Sequence, residues 1–146
     1  MKIFLASDHA GFNLKQKIKN YLLSQNNEVE DCGDFEPTPE DDYPEFIAKA
    51  AEKVSQNKNS RAIVFGKSGA GEEIVANKIV GIRAVIGFSN ENVILARKDN
   101  DVNILSLGSE FVDEEKAIEL VQLFLDTPFS NEDRHKRRIE EISNLE

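Results

Sequence analysis

Residues 62–79 read AIVFGKSGAGEEIVANKI. The apolar run Ala62–Phe65 is too short to be a helix and is bounded by turn residues, so it reads as a strand. Gly66, Gly69 and Gly71 make the turn, and a helix through Ile79 follows. Upstream, Ile3–Ala6 is a first strand, and residues 12–25 place Leu14, Ile18, Tyr21 and Leu22 at helical spacing. Lys15, Lys17 and Lys19 are expected on the polar side of that helix. A second strand at Glu28–Cys32 ends at Gly33. The stretch 34–43 holds two prolines and several acids and reads as a loop, and Pro44 then enters the first turn of a helix to about Gln56. Downstream, Arg83–Gly87 is a fourth strand, Ser89 caps a helix to about Lys98, Ile104–Leu107 is a fifth strand, Asp113 caps the next helix, and a charged C-terminal helix begins near Asn131.

Strand–helix alternation of this kind predicts a parallel sheet covered on both faces. The expected fold is α/β: a Rossmann-like three-layer α/β/α sandwich with a five-stranded, mainly parallel sheet and a C-terminal helix, residues 1–146 forming one domain. Such folds bind ligands outside the carboxyl ends of their strands. That rule points to residues 7–11, residues 66–71, and the segment 99–103 near the fifth strand.

The 146 residues carry a formal net charge of -9, which disfavours a general nucleic-acid partner. An anion site in such a chain must be built locally. The one cysteine, Cys32, permits no intramolecular disulfide, reads as a small buried hydrophobe at a strand end, and fits a reducing cytoplasm. No stretch has the length of a membrane span, and the N-terminus lacks the features of a signal peptide.

Four groups carry candidate chemistry. Asp8 and His9 directly follow the first strand and either face a ligand or serve as a helix cap and an ordinary loop residue. In GKSGAG, the backbone of Lys67, Gly69, Ala70 and Gly71 can converge on an oxyanion, with the Ser68 hydroxyl as an added donor; a tight turn explains the glycines equally well. The segment matches neither a nucleotide P-loop nor the dinucleotide fingerprint. Glu72, in the first helical turn, is either a general base or a glutamate stabilised by the helix dipole. Arg134 and Arg138 share a helix face and form either a phosphate clamp or a solvated face paired with Glu132, Glu140 and Glu141. No metal-ligand spacing and no nucleophile elbow occur. From these residues alone a reaction is not defined.

Five segments in order, SDHAGFNLK at 7–15, DYPEFIA at 42–48, GKSGAGEEIVANKIVGIRA at 66–84, ARKDNDVNILSLG at 96–108 and RHKRRI at 134–139, resemble the type B ribose-5-phosphate isomerases and the related galactose-6-phosphate isomerases. The resemblance implies aldose–ketose isomerisation of a sugar phosphate through an enediol(ate), with no cofactor and no metal. It implies Glu72 as the base, since the alternative version of the family places a cysteine where this chain has Gly66. It implies that Asp8 and His9 contact the sugar and phosphate and that the backbone of Lys67–Gly71 holds the enediolate oxygen. Ser68 lies near the ring oxygen, Asn100 bonds substrate, and Arg134 and Arg138 bind phosphate. A homodimer or larger homo-oligomer with sites at the subunit interface follows from the same likeness.

Two positions depart from the pattern. Asp99 stands where the family has a ring-opening histidine; a free aspartate, with a pKa of about 3.9, is a poor acid at neutral pH. Glu110 stands where relatives often have an arginine. Both changes leave open a short-chain or hexose 6-phosphate substrate, or a protein that binds sugar phosphate without turning it over.

Overall fold

The computed structural model describes residues 1–146. Five strands, β1 (Lys2–Ser7), β2 (Glu28–Asp31), β3 (Ser60–Gly66), β4 (Ala84–Ile86) and β5 (Ile104–Gly108), form one all-parallel sheet in the order β2-β1-β3-β5-β4. Six helices connect or follow them: α1 (Phe12–Ser24), α2 (Tyr43–Gln56), α3 (Ala70–Ala76), α4 (Asn90–Asn100), α5 (Glu114–Asp126) and α6 (Asp133–Ser143). None is long and apolar enough to cross a membrane.

The short apolar runs are strands because both of their faces are covered. Ile3, Leu5, Ile63, Phe65, Leu105 and Leu107 pack with residues of α1, α4 and α5 on one side. Phe4, Ala6, Ala62, Val64 and Ile104, their alternates, pack with residues of α2 and α3 on the other. Cys32 is buried with this second group and is a free thiol. The three layers of the expected sandwich are therefore present.

Both predicted caps form. Ser89 Oγ accepts from the Asn92 amide at 3.1 Å, and Asp113 Oδ1 from the Lys116 amide at 2.8 Å. Three details differ from the sequence-based expectation. Helix α3 stops at Ala76 instead of Ile79 because the Asn77 side chain bonds both the amide and the carbonyl of Ala84, turning the chain into β4. Helix α6 starts two residues after Asn131, whose φ of 58° is incompatible with a helix interior. Lys15 is not on a polar face. It is fully buried and donates to Asp31 Oδ1 at 2.8 Å and to the Asp34 carbonyl. Burial lowers the Lys15 pKa, with the Asp31 bond opposing. For Asp31, burial disfavours the charge, but bonds from Lys15, Lys19 and the Gly33 amide prevail and its pKa is lowered.

The strand order places the functional edge. From β1 the chain goes one way to β2, then returns past β1 to β3. This reversal leaves a crevice outside the carboxyl ends of β1 and β3.

Candidate active site

The end of β1 delivers Ser7, Asp8 and His9 to that crevice, and the end of β3 delivers the loop 66–71. Close packing joins them. A Cβ at Gly11 would lie 2.4 Å from the Phe65 carbonyl, so only glycine lets α1 start against the end of β3. The end of β5 laces the loop down: the Ser109 and Glu110 amides donate to the carbonyls of Gly66 (2.9 Å) and Lys67 (3.1 Å), and Ser106 Oγ donates to Gly69 O at 2.7 Å. Gly69, at φ 83°, turns the chain into α3. The Ala70 amide donates to Ser68 Oγ at 3.2 Å, whereas the amides of Ser68 and Gly69 have no partner in the chain. They are donors held in place with nothing to bind, the property an oxyanion site requires.

Glu72 is only 4% exposed. Its carboxylate lies directly over Gly66, where a Cβ would approach Oε1 to 2.0 Å. A cysteine at 66 and a glutamate carboxylate from 72 would thus claim one space, so the two versions of the base exclude each other in this chain. Burial raises the Glu72 pKa above its ordinary value; its own backbone amide opposes the shift, and the nearby Asp8 charge adds to it. The outcome is a carboxylate more basic than usual at the mouth of a parallel sheet.

Asp8 does not cap α1, whose N-cap is Gly11 and which has no side-chain cap bond; its Oδ1 accepts from the Gly11 amide at 2.9 Å and closes the turn before the helix. His9 is held by a residue that no motif singles out. Asp41 bonds His9 Nδ1 at 2.6 Å through Oδ1, and the His9 amide at 2.9 Å through Oδ2. That hydrogen bond raises the His9 pKa, burial opposing. The Asp41 side chain is 6% exposed while that of His9 is 40% exposed, so the imidazole has a fixed inner nitrogen and an open outer side. Tyr43 was also missed: a Cβ at Gly71 would lie 2.8 Å from its hydroxyl, which places the phenol against the glycine loop. Ser7 Oγ is buried at the end of β1 without a hydrogen-bond partner. Asp8, His9 and Asp41 bring one potential metal ligand each within 4.8 Å of one another. His9 Nδ1 and Asp41 Oδ1 already bond each other, and Asp8 Oδ1 takes the Gly11 amide.

The remaining candidates lie elsewhere. Asp99 and Asn100 end α4, which starts at the carboxyl edge of the sheet and runs back. The Asn100 carbonyl accepts from Arg83 Nε at 2.8 Å, immediately before β4 begins. The segment 99–103 therefore enters β5 at the amino edge, and its expected place among the carboxyl-edge loops is corrected. Helix α6 is at that edge too: the Ser130 amide donates to Lys98 O, and buried His135 sits with Nδ1 2.8 Å from Ser130 Oγ and 3.7 Å from Asp99 Oδ1. Arg134 is exposed and bonded to Glu132 at 2.7 Å; Arg138 is exposed and has no acidic partner. Strand β3 alone, seven residues from Ser60 to Gly66, separates the edges by roughly 20 Å. One chain thus brings together Asp8, His9, Lys67–Gly71 and Glu72, but not Asp99, Asn100, Arg134 or Arg138. Glu110 does reach the first group, with Oε1 3.6 Å from Lys67 Nζ on the surface.

The family model described as Ribose/Galactose Isomerase matches residues 3–142. Ribose-5-phosphate isomerase B of Mycolicibacterium paratuberculosis is 39% identical over 146 residues, covering 100% of this chain and 92% of the relative. Among solved structures, ribose-5-phosphate isomerase B of Clostridium thermocellum superposes with a TM-score of 0.95 at 37% identity, covering 99% of this chain and 97% of that one. The enzyme of Mycoplasma genitalium, determined with bound ribulose-5-phosphate, superposes with a TM-score of 0.94 at 36% identity, covering 99% and 95%.

Proposed function

The chain belongs to the ribose/galactose isomerase family, and from that premise we propose that it interconverts D-ribose 5-phosphate and D-ribulose 5-phosphate as a cytoplasmic homodimer of single-domain subunits. The observation that carries this reading is the buried Glu72 carboxylate, made more basic by burial and set beside two unpartnered amides.

Glu72 removes the proton from C2 of the open-chain aldose. The electron pair moves into the C1–C2 bond and the carbonyl pair onto O1, giving an enediolate. The backbone of Lys67, Ser68, Gly69, Ala70 and Gly71 holds that charge, and Ser68 Oγ adds a donor. The proton returns from Glu72 to C1 while the O2 proton passes to O1, leaving a C2 ketone. The atoms balance with no cofactor or metal. Asp8 contacts the sugar, and His9, its pKa raised by the Asp41 hydrogen bond, contacts the phosphate.

The phosphate clamp comes from the second subunit. Arg134 and Arg138 are about 20 Å from Glu72 within one chain, so a chain cannot close its own site. In the dimer the partner subunit's Arg134 and Arg138 meet the phosphate, and the partner's Asn100 and Asp99 meet the sugar hydroxyls. The surface around edge strand β4 suits such a partner: Ile74, Val80, Phe88 and Leu95 are exposed there, beside a largely apolar cavity of about 600 Å³. A free buried thiol at Cys32 suits the reducing cytoplasm.

Asp99 in place of a ring-opening histidine favours one second reading, a substrate that stays open-chain, such as a four-carbon aldose phosphate. Both readings are tested by assaying the purified protein in EDTA on four-, five- and six-carbon aldose phosphates. The highest kcat/KM is expected on D-ribose 5-phosphate. A higher value on the four-carbon sugar would transfer the assignment to it, and no turnover on any would reduce the protein to a binder.

A further inference from the structure

A second cavity, of about 480 Å³, lies at the amino edge of the sheet, between the start of β3, the Gly81 turn and the end of α4. That volume falls within the range of small-molecule sites. Lys58, Arg61, Arg83 and Arg97 line it, with Asp101 as the one carboxylate. Four cationic side chains thus line it against one lining carboxylate, in a chain of net charge -9, with Asp126 also acting on Arg61 from outside the lining.

Part of that charge has a structural task. Arg97 donates through Nε to Thr127 O at 3.1 Å and through Nη1 to Asp101 Oδ1 at 2.8 Å. Arg83 donates through Nε to Asn100 O and through Nη2 to Asp101 O at 2.9 Å. Arg61 Nη1 donates to the carbonyls of Phe124 and Leu125. These bonds satisfy the carbonyl ends of α4 and α5. They do not use up the guanidinium groups. Arg97 Nη2, Arg83 Nη1, and Arg61 Nε and Nη2 have no partner in the chain, yet none of them is cut off from solvent. Arg97 is only 3% exposed and lines the cavity. The neighbouring cations also press on one another: burial draws the Arg61 pKa down to about 10, and the Arg97 charge pushes the same way. An anion between them relieves both penalties. The Gly81 amide is taken by Glu146, which lines the neighbouring apolar cavity and not this one.

We propose that this amino-edge cavity is a second binding site, for a compact oxyanion, either free phosphate or the phosphate group of a small ester, gripped by Arg61, Arg83 and Arg97 with Lys58 as a fourth cation. The free Nε and Nη2 of Arg61 form a parallel pair suited to a tetrahedral oxyanion, and Arg83 Nη1 and Arg97 Nη2 add one spare nitrogen each. The site is independent of the isomerase assignment and shares no residue with the proposed substrate contacts.

The test is a titration of ¹⁵N-labelled protein with inorganic phosphate at constant ionic strength. It is followed at the amides of Asn59, Ser60, Gly81 and Asn103 and at the Nε–H signals of Arg61, Arg83 and Arg97. The Asn59, Ser60 and Arg61 signals separate this cavity from phosphate held by Arg134 and Arg138 at the same edge, whereas Arg83, bonded to Asn100 O, responds to both. Saturable shifts are expected, weakened about tenfold in Arg61→Gln and about threefold in Lys58→Gln. Lys58 makes no bond within the chain, so its variant remains informative if Arg61→Gln loosens α5. A parallel titration with glycerol 3-phosphate distinguishes the sources: tighter binding of the ester identifies an organic phosphate, and equal binding identifies free phosphate. Shifts that fail to saturate below about 20 mM, that chloride reproduces, or that persist unchanged in both variants would overturn the proposal.

Discussion

Glu72→Gln separates the chemistry of this carboxylate from its shape. Glutamine is nearly isosteric, so the space over Gly66 stays filled and the glycine loop keeps its packing. What disappears is the proton acceptor. A positioned general base contributes roughly 10²–10⁴-fold, equivalent to about 3–5 kcal/mol of barrier, so kcat on D-ribose 5-phosphate falls by that factor while KM stays within a few-fold. Stability moves the other way. The folded-state pKa of Glu72 is raised, so its penalty is absent below the ordinary carboxylate range, where both states are protonated, and grows as pH rises through the unfolded and then the folded value. Glutamine removes the penalty. The variant therefore melts above the wild type at neutral pH, and the gap closes as pH falls through the carboxylate range. Steady-state ketose formation and thermal melting across pH measure both effects. A kcat within about tenfold of wild type would refute the base assignment, and a lower melting temperature at neutral pH would refute the burial argument.

Asp41→Asn leaves the His9 contact but removes the charge that raises the imidazole pKa, so the rise of KM with pH for a phosphorylated sugar should begin at lower pH than in the wild type. Superimposable KM–pH profiles would argue that Asp41 has no such role. Lys15→Met strands Asp34 O and leaves Asp31 with Lys19 as its remaining lysine partner, and should cost about 3–5 kcal/mol in denaturant unfolding; a loss under about 1 kcal/mol would mean the pair contributes little. Asp99→His supplies the missing ring-opening acid, and turnover of D-ribose 5-phosphate should rise by about tenfold. An unchanged rate would show that ring opening does not limit this enzyme.

The strands were legible because buried parallel strands are apolar on both faces; Ile3–Ala6 and Ala62–Phe65 carry that pattern without a break, and Ile104–Leu107 with Ser106 as its one interruption. Ser89 and Asp113 were legible as caps because a cap is local chemistry. The glycine loop was legible as a turn, but its pairing with Glu72 depends on a contact across Gly66 that no spacing rule contains. Long-range partners were hidden. Lys15 looks solvated until Asp31 and the Asp34 carbonyl are seen to enclose its ammonium. Asp41 looks like one acid in an acidic loop until the loop folds back onto His9. The edge on which residues 99–103 lie was within reach of the sequence, because α4 must return to the amino edge before a parallel β5 can begin.

The proposed site makes one structural demand: Glu72 must work with arginines that its own chain holds at the far edge of the sheet. Mixing Glu72→Gln, which lacks the base, with Arg138→Ala, whose KM for phosphorylated sugar is raised, tests it at a substrate concentration well below that KM. After dissociation and random reassociation in equal amounts, half of the dimers are hybrids. Each hybrid holds one site with both defects and one with none, so activity on D-ribose 5-phosphate should return to about a quarter of the wild-type value. A mixture no more active than the sum of its parts, with subunit exchange shown by mass, would contradict a site shared between two chains.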